Sequence, residues 1–156
     1  MGMSPYTTNS SLVKERELNA NGDSVQSAKT RIWSELSRSH MNLAILLKDE
    51  GQLQPALILA HMAAKTKLKE IALHLRLDVP ADRMPYEDLI GRAREIALID
   101  LETELFLNTL SYIAEPENMS LLKDMHAEHV DMMLERVRAL LEEMSWKAAP
   151  SMMESK

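Results

Sequence analysis

Between Asp23 and Ser145 apolar residues recur every three or four positions, and only short clusters of turn-forming residues interrupt them. The interruptions are Asp49-Glu50-Gly51, the stretch from Asp78 to Pro85, the corner Leu98-Ile99-Asp100, and Glu115-Pro116-Glu117-Asn118. Such spacing places side chains on one face of a helix, and no run alternates with the two-residue period of a strand. The chain has only 4 glycines and is rich in Leu, Ala, Met, Glu and Lys, so intrinsic preference agrees with the periodicity. The expected fold is all-α: an up-and-down bundle of four main helices plus one short helix, largely antiparallel because most connections are short.

Residues 1–22 are polar and unpatterned and are expected to form a flexible arm. Helix one is expected from Asp23 or Ser24, either of which can accept the first free amides, to about Lys48. Its predicted core stripe is Val25, Ala28, Ile32, Leu36, Leu43 and Leu47, with Trp33 alongside. Gly51 suits the left-handed position that ends a helix. Helix two is expected from Gln54-Pro55 to about Leu77 with Leu57, Ala60, Ala64, Leu68, Ile71 and Leu75 inward. Its small residues Ala60, Ala63 and Ala64 permit a close neighbour.

Pro85 opens a short third helix, Tyr86 to about Ile96, burying Leu89, Ile90 and Ala93. Asp100 caps a fourth carrying Leu101, Leu105, Leu107, Leu110 and Ile113. The last helix, about Met119 to Ser145, presents Leu122, Met125, His129, Met133, Val137, Leu140 and Met144. One domain, 23–147, is therefore expected, followed by a frayed tail, 148–156.

The net charge of −6 argues against broad nucleic-acid binding, because a polyanion needs a basic surface to displace its counterions. With no Cys, disulfides, thiol catalysis and thiolate metal sites are excluded. No apolar run reaches the roughly 20 residues that span a bilayer, and MGMSPYTTNSS has no apolar signal-peptide core. A cytoplasmic protein is expected. No G-x-S-x-G, P-loop or dinucleotide fingerprint occurs, so no cofactor is expected.

His126 and His129 can share a helical face, but two ligands without a third do not define a metal site, and none is expected. Lys65 and Lys69 share a face while Lys67 projects away; with Arg92 and Arg94 of helix three they are the basic candidates for binding. Charge runs of this kind are more often solvated surface. Met132 and Met133 are adjacent and cannot both enter one seam, so one of them is a candidate interface residue. Glu115, Glu117 and Asp124 flank a proline turn and are expected to be hydrated.

Residues 56–113 resemble the HEPN superfamily of helical domains. The resemblance is carried by the Ala-rich helix ALILAHMAAKTKLKEIA, the segment MPYEDLIGRAREIALID and the following helix LETELFLNTLSYI. It implies a helical bundle that tends to dimerise, and in many members a metal-independent ribonuclease whose Arg, often followed by Asn, is separated by four to six residues from a His. The corresponding place here reads Ser111-Tyr112-Ile113-Ala114-Glu115-Pro116, and none of His40, His61, His74, His126 and His129 follows an Arg at such a spacing. The resemblance therefore transfers scaffold and dimerisation but no catalytic residue. It points to a regulatory, accessory or antitoxin-like protein-binding element of a nucleic-acid-related system, such as toxin–antitoxin or phage defence, acting as a homodimer. Tyr112 and Glu115 would then keep a binding role at the old site. The alternative is a divergent ribonuclease or a nucleotide- or RNA-binding protein using Arg92, Arg94 or the lysines. The segment REIALIDLETELFLNTLS is also similar to the first helix of helical chorismate mutases, but Ser111 stands where that family needs an Arg.

Overall fold

The computed structural model describes residues 5–75 and 83–154, with side chains from Val25 onward except Gln26, Met119, Leu121, Leu122 and those of 150–154. The described residues are helical and contain no strand: α1 (Pro5–Asp49), α2 (Leu53–His74), α3 (Tyr86–Glu95), α4 (Leu101–Ala114), a 3-10 segment (Pro116–Leu122) and α5 (Ala127–Glu154). The expected end of helix two at Leu77, with Arg76 and Asp78, lies outside the described residues.

α2 is the central helix and touches each of the other elements, whereas α1 and α4 do not touch each other. Its sequence explains this position. Alanines at 56, 60, 63, 64 and 72 are all buried, together with Leu57, Leu68 and Ile71, so α2 presents small or apolar atoms over most of its circumference. Helices can approach such a surface closely. Ala56, Leu57, Ala60 and Ala63 join Leu110 of α4 and Val130, Leu134 and Val137 of α5 in one cluster. Ala64, Leu68, Ile71 and Ala72 join Leu89, Ile90, Leu107, Leu140 and Met144 in a second. α2 and α5 therefore run one way, and α1 and α4 the other.

The sequence reading of α1 is corrected in two respects. The helix begins at Pro5, not at Asp23 or Ser24, which lie inside it. Its buried face is Ser37, Met41 and Ala44, while Val25, Ile32, Leu36 and Leu43 of the expected core stripe are exposed and Leu47 is only half-buried. The reason is steric. The side of α2 toward α1 is lined by alanine, and a close partner must itself be small there. Ser37 fits well enough for its hydroxyl to donate to the Ala63 carbonyl at 2.8 Å.

α5 starts at Ala127 rather than Met119, because Pro116 to Leu122 forms a 3-10 segment. The extra residues shift the phase. Val130 and Leu134 are buried with Val137, Leu140 and Met144, while His129 is exposed. In α4, Leu107 and Leu110 are buried as expected, but Leu101 and Leu105 face outward. α3 buries Leu89, Ile90 and Ala93 as its sequence predicts.

Two helix ends use the same turn with different residues. After α1, Gly51 at φ +80° donates to the Lys48 carbonyl at 2.9 Å and Gln52 to the Leu47 carbonyl at 2.8 Å. After α3, Ala97 at φ +58° donates to Arg94 at 3.1 Å and Leu98 to Ala93 at 2.9 Å. Both are Schellman turns, which place one left-handed residue just past the helix. Glycine adopts that conformation without penalty; alanine does not. Nothing lies within 4 Å of a Cβ built at Gly51, so its replacement strains the backbone alone. Gly51→Ala is expected to lose about 1 kcal/mol and Ala97→Gly to gain about 0.5–1 kcal/mol, opposite signs at equivalent positions. Urea unfolding of the two variants measures both.

Candidate functional surface

α4 is started by Asp100, whose carboxylate accepts from the Thr103 amide at 2.8 Å, as the sequence indicates. That hydrogen bond holds the Asp100 carboxyl below its usual range. The cap fixes the direction of α4 and so the position of Tyr112 and Glu115 at its far end. Tyr112 is exposed, and Glu115 sits at the C-terminal cap, where Asn118 donates to its carboxylate at 3.4 Å and to the Tyr112 carbonyl at 2.8 Å.

The basic candidates are spread over two helices, and three of them, Arg92, Arg94 and Lys69, are engaged by local partners. Arg92 pairs with Glu95 at 3.3 Å, and Arg94 with Glu104 of α4 at 3.4 Å. The Lys69 ammonium lies 5.1 Å above the Trp33 ring, a cation–π contact that ties α2 to α1. Lys65 is half-buried, and its charge helps depress His61. These groups do not converge on one point. Met132 is exposed, while Met133 packs against the core, so adjacent methionines have taken opposite roles. With Asp124, Met125 and His129 they line a shallow hollow of about 440 Å³. The His126 and His129 rings are 5.8 Å apart, and among the described residues no three His, Asp or Glu gather in a way that could hold a metal ion.

Two surface features escaped the sequence. The first is a groove of about 610 Å³ between α1 and α5, floored by Lys67 and walled by Arg38, Met41, Arg138, Glu142 and the exposed Trp146. Its cations are largely neutralised: Lys67 pairs with Glu70 at 2.7 Å and Arg138 with Glu135. The second is the outer face of α1. Val25, Ile32 and Leu46 are 54%, 60% and 57% exposed, and Leu36 and Leu43 between them are also exposed. Val25, Ile32, Ser39 and Leu46 repeat every seven residues, with Lys29, Leu36 and Leu43 interleaved. A seven-residue repeat marks a seam for another helix. That signal was present in the sequence but indistinguishable there from a core stripe.

Comparison with protein families, curated proteins and solved structures finds no match for this chain. Among the described residues no helix is long and apolar enough to cross a membrane.

Proposed function

We propose that this chain is a non-catalytic helical bundle that acts by binding a protein through the outer face of α1. The observation that carries the proposal is the seven-residue apolar repeat left uncovered on that face. Water-exposed Val, Ile and Leu in a contiguous stripe are unfavourable unless a partner removes them from water. The HEPN resemblance adds a context to this reading: a regulatory, accessory or antitoxin-like element of a nucleic-acid-related system. The absence of the Arg and His of that superfamily's nuclease motif at Ser111 to Pro116 supports a binding role over a catalytic one.

The alternative, cleavage or binding of RNA through Arg92, Arg94, Lys65 and Lys69, is less well supported. Arg92 and Arg94 already pair with carboxylates, and the net charge is −6. A photo-crosslinking residue placed at Ile32, and separately at Glu128 as an exposed polar control, tests the proposal in the cell that makes the protein. A discrete protein adduct from position 32 and none from 128 is expected. No adduct from either position, together with RNA cleavage that Arg92→Ala abolishes, would establish the alternative instead.

A further inference from the structure

We infer that the partner on α1 is a second copy of this chain, and that the two α1 helices pair antiparallel along the Val25–Leu46 seam. The inference rests on the proposed binding role of α1 and names its partner. Three observations carry it.

The first is length. α1 has 45 residues and α2 has 22. α2 supports α1 from about Trp33, beside Lys69, to Ala44, and the N-terminal part of α1 runs beyond it. At about 1.5 Å per residue the seam from Val25 to Leu46 alone is about 32 Å long, enough for several layers of interlocking side chains.

The second is size matching. Ser39 is the one small residue among the apolar seam positions between Ile32 and Leu46. In an antiparallel register that sets Ile32 against the partner's Leu43, Leu36 falls against the partner's Ser39. The bulky and the small residue then meet twice across the two-fold axis. A parallel pairing would instead set Ser39 against the partner's Ser39 and leave a gap in the seam.

The third is charge. Lys29 lies near one end of the seam and Glu50 just past the other, and neither has an ion pair among the described residues. Antiparallel pairing brings Lys29 within reach of the partner's Glu50, again twice, whereas parallel pairing brings like charges together. The other uncovered apolar face, Leu101, Leu105 and Tyr112 on α4, lacks this complementarity. Glu102 and Glu104 of α4 already pair with Arg136 and Arg94 of the same chain, so that face offers no free charge to match a second copy.

Sedimentation equilibrium of the full chain at tens of micromolar tests the inference. The mass of two chains is expected. Ile32→Glu combined with Leu43→Glu is expected to raise the dissociation constant at least ~100-fold, because the dimer would bury unpaired carboxylates. Circular dichroism of the diluted variant should stay helical, both positions being exposed in the single chain. Leu105→Glu is expected to leave the dimer intact. Orientation is read by oxidative cross-linking, since the chain has no Cys of its own. Ile32→Cys chains mixed with Leu43→Cys chains should form a disulfide dimer, and Ile32→Cys chains alone should not.

A strict monomer, a dimer broken by Leu105→Glu but not by the α1 pair, or efficient cross-linking of Ile32→Cys alone would each overturn the antiparallel seam. If a monomer still gives an adduct to a different protein from position 32, the binding role of α1 survives without self-pairing. If it gives none, both are lost.

Discussion

Replacing Leu57 with Ala is expected to lower the unfolding free energy by about 3–4 kcal/mol, as truncation of a fully buried leucine does where the cavity cannot collapse. Leu57 has no exposed surface and shares its cluster with Ala60 of its own helix, Met41 and Ala44 of α1, Leu110 of α4 and Val130 of α5. The walls of the cavity would thus be backbone-anchored residues on four helices, each held by its own hydrogen bonds. None can move in without dragging its helix. Against a total stability of about 5–15 kcal/mol, such a loss is a large fraction and should shift the urea midpoint strongly. The informative comparison is Ile32→Ala, which removes the same three carbons from α1. Ile32 is 60% exposed in the single chain, so at concentrations too low for association its cost should stay within about 0.5 kcal/mol. Reversed magnitudes would mean that the stripe the sequence suggested is the core after all.

That comparison also marks where the sequence stops being sufficient. Periodicity reports which residues share a face, not which face is covered. On α2 the distinction did not matter: Leu57, Ala60, Ala64, Leu68 and Ile71 were legible, and all are buried. On α1 two faces competed. The bulky one, with Ile32 and Leu43, looked like core; the one with Ser37, Met41 and Ala44 is core, because the alanines of α2 accept only a slender neighbour. Choosing between them requires the partner helix, which local pattern does not supply. Capping signals fared better, being local chemistry. Gly51, which lacks a Cβ, and Asp100, with its carboxylate, occupy the positions they suit, whereas Asp23 and Ser24 lie inside α1 and not at its start. Ala97 takes a left-handed conformation that no alanine advertises. On α5 the proline turn hid seven residues of 3-10 geometry, and the phase carried across it put His129 inward by error. Of the candidate site residues, the individual positions were visible but their mutual distances were not. Arg92, Arg94 and Lys69 turn out to serve separate local contacts.

The second large effect is expected from acid. His61 of α2 lies edge-on to the Tyr86 ring at 4.9 Å, beneath α3, and its Nδ1 finds no hydrogen-bond partner among the described residues. Burial, and to a lesser degree the charge of Lys65, pushes its pKa down from 6.5 to about 4. Burial likewise pushes the Tyr86 phenol up. In the unfolded chain His61 takes a proton near its ordinary pKa; in the folded chain it resists until about pH 4. Between those values the unfolded state holds more protons, so stability rises with pH across the window and falls as the solution is acidified. The contribution is intact above pH 6.5, erodes from there, and is fully lost below about pH 4. The shift corresponds to about 3 kcal/mol in all, at roughly 1.4 kcal/mol per unit.

Carboxylates titrate in the lower part of the same window, so the measurement must be a difference. Urea unfolding of the parent and of His61→Phe at pH 7.5, 6, 5 and 4 isolates the histidine. Phe keeps the ring against Tyr86 but cannot take a proton, so the variant should gain on the parent steadily as the pH falls. A constant gap between the two curves would mean that His61 titrates normally and that α3 does not shield it from water.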